Sequence, residues 1–563
     1  TQALPEVQTV APAKIGVDLI KDVKLNVPVP TNGTNAITAT NVFNVTDAAV
    51  ANMKQLNVHP KMNTIGQQGW QGSAYAAAIP TTATGVDPAT NKLYIDEWMP
   101  DTGMQYLTYM TNYQANYGSF AAFRSQFSKA NLATMTDFTT ANSLQESNST
   151  THAYTSFYIY MMQFWQTMEG MQYATSLENI DVHDYSAVTR AAFGRDVTGQ
   201  LWDISALAGL PNLKTVNILD QSVQDMSVLR SLPQLTEIDM GWGQVSDPSG
   251  LNVNYASHTQ NGLRYQYIPI SPMVFPDGTT SVQITFNVVG TDGLPHVVNP
   301  YGGISYPGDN GYSVIASTAN AARVGTNTIV FSNLLTPPNG RYGVLTAFFP
   351  MAQPNGVFQD SFDGYITIPY LISNSLGRVN VNYQYLQTDG QQPEIGASAT
   401  LANTIGTAFD LNNNPLTNFP MSYLVDKLGA KYIVLNGTGK YSDYLAGNGL
   451  ANRVTTTGAV AASDTNLTVL FAGTVPATVQ HGYYQDGNFI SFNQDDEVDT
   501  DINGGPLISS TVKLIPHYNF SSAAVVDPNG GVIPISATTV PYLIPGYTLR
   551  LAYAPVTVSV PIT

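Results

Sequence analysis

Oxygen ligands at alternate positions are the first chemistry the chain offers. Asp499, Asp501 and Asn503, followed by Gly504, set side-chain oxygens at the first, third and fifth places of a loop with glycine at the sixth. That is the opening half of a calcium-binding loop. Asp495, Asp496 and Glu497 crowd the same stretch, and their mutual repulsion favours a cation or full solvation. The twelfth place is Ser510, where a bidentate Glu would complete the shell. Calcium is therefore the one cofactor the spacing admits, without requiring it.

A second set of polar groups pairs carboxylates with rings: Asp181, His183 and Tyr185, then Glu237, Asp239 and Trp242. Sugar C–H faces stack on aromatic rings while hydroxyls pair with planar polar groups, so these residues are candidate ligand contacts. Catalysis finds less support. The seven His form no H-E-x-x-H or H-x-H pair, no G-x-S-x-G elbow occurs, and no Gly-rich phosphate loop precedes a helix. Cysteine is absent, which removes disulfides, thiolate metal sites and a cysteine nucleophile. The chain is expected not to be an enzyme, although a glycosidase needs only two carboxylates and 39 acids leave that alternative open.

The ring and carboxylate positions are placed by a repeat. Leu207, Leu210, Leu213, Val216, Ile218 and Val223 recur 22 positions later as Leu229, Leu232, Leu235, Ile238, Met240 and Val245. A divergent earlier copy is Met171, Ala174, Leu177, Ile180 and Val182, separated by a 14-residue excess. This period predicts a leucine-rich-repeat solenoid, in which each turn gives a short strand and stacking closes the core. The residues between buried positions then face the concave side: Asn179, Asp181 and His183; Thr215, Asn217 and Leu219; Glu237, Asp239 and Gly241. The asparagine that usually ladders to neighbouring backbone is replaced by Tyr185, Gln221 and Gly243.

Around the repeats the texture changes several times. Residues 1–92 are Thr/Asn-rich and of unclear fold, with short alternating pieces such as Val23 to Val27 and a helix over 47–56. Residues 93–169 read as a helical cap, with Asp101 and Ser128 as N-caps, and 170–262 as the repeats. Period-two alternation from Val282 to Val288 and later strands with turn signals predict an Ig-like β-sandwich over 263–373. A further β domain occupies 374–473, and a C-terminal β domain 474–563. The fold class is thus multidomain and mainly β.

Of the 563 residues 43% are hydrophobic and only 11% charged, so Thr, Asn, Ser, Gln and the 32 Tyr must cover much of the surface. The net charge of −17 repels phosphate backbones and anionic headgroups, which argues against nucleic acid as a partner. No apolar run is long enough to predict membrane insertion. The start at Thr1-Gln2-Ala3-Leu4-Pro5 reads as a mature end with a signal peptide removed.

Ser128 to Met135 and Glu169 to Leu177, followed by the 22-residue repeats, resemble the cap-to-repeat junction of internalin-type proteins, over roughly residues 95–255. Arg378 to Tyr385, Asp389-Gly390, Ala399 to Leu401, Ile405 to Phe409 and Leu467 to Phe471 are similar to the mucin-binding protein (MucBP) domain, with a Gly/Thr/Asn-rich insertion between 436 and 464 as a departure. The resemblances imply a β-grasp-like fold for 374–473 and a cell-surface adhesin of a Gram-positive bacterium such as a lactic acid bacterium. Such a protein would be extracellular, in the cell wall, monomeric, and attached noncovalently to a host mucin, matrix glycoprotein or glycan. A secreted carbohydrate-active hydrolase with accessory β domains and a structural cell-wall component are the alternatives.

Overall fold

The computed structural model describes residues 19–31, 43, 45–46, 71–140, 161–163, 165–182, 198–251, 262–270, 272–308, 311–351, 362–392, 399–411, 430–446 and 452–557. Strands dominate and the helices are short; among the described residues none is long and apolar enough to cross a membrane. The helix expected over 47–56 lies outside the described residues.

Caps start the helices where the sequence places them. Asp101 begins Thr102–Thr108 by accepting the N–H groups of Gly103 and Met104 at 2.8 and 3.3 Å. Its second oxygen accepts those of Gln166 and Thr167 at 2.8 and 3.2 Å, tying the helix to the chain that enters the repeats. Ser128 and Asn131 form a reciprocal capping box at Lys129–Leu132. The buried Lys129 ammonium lies 4.1 Å from the Tyr173 ring centre and donates to the Ile79 carbonyl at 3.0 Å, and burial lowers its pKa to about 8. One lysine thus joins the cap to the first repeat.

The repeats form a parallel sheet, Asn179–Val182, Thr215–Ile218 and Glu237–Asp239, to which Asp137–Thr139 of the stretch expected to be a helical cap adds a fourth strand. Phe138, Ile180, Val216 and Ile238 align across it and are buried. Buried glutamines stand in for the asparagine ladder. Gln221 accepts the Leu201 N–H at 3.2 Å from the neighbouring turn. A further 22-residue register lies on the opposite side of each turn: Asp203, Asp225 and Asp247 each accept the N–H of the serine two residues on, at 2.8–3.0 Å. At the first two, that turn opens the 3-10 helices Ser205–Leu207 and Ser227–Ser231.

The spiral does not stop before the sandwich. Met240 donates to the Gly262 carbonyl at 2.6 Å and Trp242 to that of Arg264 at 2.9 Å, so Leu263–Pro269 continues the 22-residue step and is also a sandwich strand. It pairs in parallel with Phe362–Ile372, which pairs with Gly343–Phe349 and, through it, with Asn299–Pro300. The second sheet has the order Ile20–Leu25, Ser281–Phe286, Thr328–Ser332, Asn320–Arg323. Its edge strand therefore comes from the N-terminal segment, more than 250 residues away in sequence. Val282, Ile284 and Phe286 of one sheet share a core with Leu345, Phe349, Ile366 and Ile368 of the other, continuous with the core of the repeats.

Two mixed sheets follow. In the first, five strands taken in chain order (Leu376–Leu386, Ala399–Thr404, Lys431–Asn436, Arg453–Val454, Thr465–Ala472) lie in the spatial order 2-1-5-3-4, with the central pair parallel. In the second, Val475–Gln485, Asn488–Ser491, Tyr518–Val526, Val532–Pro534 and Thr548–Pro555 repeat that order and that parallel central pair, with Asp496–Thr500 added against the first strand. The first strands even end alike, at Gln387-Thr388-Asp389-Gly390 and Gln485-Asp486-Gly487, with Gly390 and Gly487 at φ 83° and 79°. One buried cluster joins the two modules, and Trp202 of the solenoid belongs to the core of the first.

Candidate ligand-binding surface

On the concave side of the parallel sheet the strand register stacks polar side chains in two rows. Asp137, Asn179, Thr215 and Glu237 form one, and Thr139, Asp181, Asn217 and Asp239 the other. The first is stitched internally: Asn179 Nδ2 donates to Asp137 at 2.8 Å and Thr215 Oγ1 to Asn179 Oδ1 at 2.8 Å. The second places an amide between two carboxylates. Leu219, expected on this face, is buried instead, and His183 and Tyr185 lie outside the described residues.

Trp242 closes the strip. It is 40% exposed and stacks on Tyr265, centroids 4.5 Å apart and planes 25° from parallel. The backbones of both residues are left-handed, at φ 58° and 60°. Bulky side chains pay roughly 1–3 kcal/mol each to stay in such a conformation, so the fold around them must enforce it. Part of the cause is visible: a bulge where Leu263–Pro269 meets Phe362–Ile372 turns the Tyr265 N–H onto the Asp363 carboxylate at 2.6 Å. The Arg264 guanidinium lies 3.5 Å from the same carboxylate and 4.4 Å from the Tyr265 ring centre. Beyond it Tyr301, Phe348 and Tyr365 form a triangle with centroids 5.1–5.5 Å apart. Burial, then the neighbouring Tyr301, pushes the Tyr365 phenol up to about 12. Tyr265 was invisible to periodicity, because it sits on a bulge; its only signal is that its neighbour Arg264 falls one repeat length after Trp242.

The oxygen-rich segment does not fold as a loop around a cation. Asp496–Thr500 is a strand paired with Val475–Gln485, and Asp499 stands exposed on it opposite Pro476. Asp501 accepts the Asn503 N–H at 2.7 Å and pairs with Lys431 at 2.5 Å, so a lysine from the preceding module answers its charge. Among the described residues no group of three or more His, Asp or Glu could hold a metal ion.

A chain of polar groups that the sequence hid lies in the second module. The Lys513 N–H donates to the Tyr553 hydroxyl at 2.9 Å, which is 2.9 Å from His481 Nδ1. His481 Nε2 is 3.0 Å from Asp496, which also pairs with the Lys513 ammonium at 2.9 Å. With the Tyr553 hydroxyl donating to Nδ1, Nε2–H faces Asp496, a neutral tautomer in which every group is satisfied. His481 is wholly buried, so the arrangement is a structural bracket and not a relay open to substrate. Burial holds its pKa below 6.5. The native state then binds fewer protons than the unfolded chain near pH 6, and stability from this group is lost as pH falls through the unfolded value. The stability advantage of the wild type over His481→Gln should therefore shrink between about pH 7.5 and about pH 5.5 in urea titrations. An advantage that grows on acidification would refute the neutral assignment.

No known protein family profile matches the chain, and no curated protein matches it. Among solved structures it is similar to the functional domain of InlJ from Listeria monocytogenes, at 13% identity over 39% of this chain and 50% of that one, with a TM-score of 0.20. It is also similar to the internalin InlF of the same organism, at 18% identity over 31% and 45%, TM-score 0.19. A third is its internalin C2, at 15% identity over 34% and 90%, TM-score 0.14. The chain thus spans half or less of the first two proteins.

Proposed function

We propose that this chain is an adhesin on the surface of a Gram-positive bacterium that attaches noncovalently to host mucus glycoproteins or extracellular matrix. The observation that carries the reading is the Trp242–Tyr265 stack, two rings held in costly backbone conformations with one face open to solvent. Strain kept at residues that remain partly open to solvent supports a role in contact. Asp181, Glu237 and Asp239 lie along the strip that leads to it and offer acceptors for hydroxyl groups, and we keep His183 and Tyr185, outside the described residues, as candidate contacts from the sequence. We read the solenoid as internalin-type, the sandwich as Ig-like, and the strand order 2-1-5-3-4 as supporting a β-grasp-like, MucBP-type module. In this reading the protein is exported, monomeric and non-catalytic, and modest affinity per copy is multiplied by many copies on one cell.

The test is retention of the protein on mucin-coated and matrix-coated surfaces. Trp242→Ala should weaken binding about tenfold, the ~1.4 kcal/mol scale of one lost ring contact, with circular dichroism unchanged. Because contact is through rings and hydroxyl partners, retention should change little between about 0.05 M and 0.5 M salt. Binding that survives the substitution, or collapses with salt, contradicts the proposal.

A further inference from the structure

The junction of the two C-terminal modules holds a cavity of about 730 Å³, lined among others by Gln384, Asp389, Gln392, Lys440, Tyr441 and Tyr547. That volume is within the ~300–1,000 Å³ range of small-molecule sites. Its walls are fixed by bonds that cross the junction. The Tyr441 hydroxyl donates to the Tyr542 carbonyl at 3.0 Å and accepts the Ile544 N–H at 3.3 Å, and the Tyr444 hydroxyl accepts the Tyr542 N–H at 3.2 Å. Gln392 accepts the Tyr441 N–H at 2.9 Å while its amide nitrogen donates to the Gly439 carbonyl at 2.9 Å and to Gln384 at 3.2 Å. The Tyr547 ring stands edge-on to Tyr441 at 5.5 Å. Both amides are oriented before any ligand arrives, so little ordering cost remains for binding.

Charge selects the ligand class. Lys440 and Asp389, both exposed, line the same cavity, and neither has an ion-pair partner among the described residues. One Asp389 oxygen accepts the Gln391 N–H at 2.9 Å, which fixes the carboxylate on its turn. An ammonium only donates and a carboxylate only accepts, so a ligand satisfying both with one kind of group needs groups that do both, and a hydroxyl is that group. An anion would gain at Lys440 and lose at Asp389. Pro528, Pro545 and Tyr547 supply apolar surface for the C–H face of a ring. We propose that this cavity binds a short, uncharged oligosaccharide, as a site separate from the Trp242 platform.

The experiment is calorimetric titration of the full chain carrying Trp242→Ala, which removes the platform, with a neutral lactosamine-type tetrasaccharide and with its sialylated form. One site for the neutral sugar is expected, tighter than for the sialylated one. Adding Lys440→Ala or Asp389→Asn, the latter keeping the oxygen that caps the turn, should weaken it about tenfold each, the scale of one charged hydrogen bond. Equal affinity in those variants, preference for the sialylated sugar, or no heat with the neutral one overturns the proposal. Failure of the adhesin reading is separate: it shows as unchanged surface retention of Trp242→Ala, whatever the cavity binds.

Discussion

Asp101→Ala should lower the stability of the cap and repeats by roughly 3–5 kcal/mol, because four backbone N–H groups lose their acceptor at a site closed to water. The bonds to Gln166 and Thr167 also fix the entry into the first repeat, so the loss is expected to spread beyond the helix that Asp101 caps. Asp101→Asn keeps the shape but turns a donor toward one pair of N–H groups, and about half the loss should follow. Burial pushes the Asp101 carboxyl up to about 7, against the pull of those same N–H groups. Its folded value lies above the unfolded 3.8, so the native state binds more protons between the two, and stability from this group falls as pH rises toward 7. The gap between wild type and Asp101→Asn should accordingly be wider at about pH 5 than at about pH 8 in urea titrations. An alanine variant as stable as the wild type would remove Asp101 from its assigned place.

What the sequence revealed and what it hid divide along the distance over which the interactions act. Asp101 and Ser128 were legible as caps because the helix N–H groups they cap lie two or three residues away. The 22-step of apolar residues was legible because each turn solves the same burial problem as the last. The same step among Asp203, Asp225 and Asp247 was available to a reader counting polar residues, since each aspartate turns onto its own second neighbour. The buried Gln221 and Gln266 were harder, because amides on a solvated turn and amides bonding backbone inside a core look alike in one chain. Leu219 is buried although alternation put it on the concave face, and its N–H continues the strand ladder to Val182.

Partners distant in sequence were not legible at all. The alternation in Val23-Lys24-Leu25 announces a strand without saying that it will edge a sheet built from residues 281–332. The acids between Asp495 and Asp501 admitted a cation or full solvation as relief for their repulsion, yet Lys431, Lys513 and His481 reach Asp501 and Asp496 from elsewhere in the chain. Nor does the last segment resemble the one before it beyond the Asp-Gly turn and a few apolar alternations. Their common strand order appears only when pairing is known.

Gln266→Leu is the substitution expected to separate the solenoid from the sandwich. Gln266 is wholly buried where the two meet; its amide nitrogen donates to the carbonyls of Met240 and Leu263 at 2.9 and 3.0 Å, and its oxygen accepts the Val245 N–H at 2.8 Å. Leucine fills similar space and leaves three backbone groups unsatisfied away from water, a loss of roughly 3–5 kcal/mol. Two of those groups, on Met240 and Val245, bracket Trp242, and Gln266 itself follows Tyr265. The damage therefore falls on the segment that holds both rings in left-handed backbone, whose strain of roughly 1–3 kcal/mol each is released if the junction loosens. Surface retention should drop at least as far as in Trp242→Ala, although no ring has been removed, and Trp242 fluorescence should shift as its stack on Tyr265 opens. Retention equal to wild type in a destabilised Gln266→Leu protein would mean that the platform does not depend on the junction if Trp242 fluorescence is unchanged, and that the strained pair is not what the ligand meets if it has shifted.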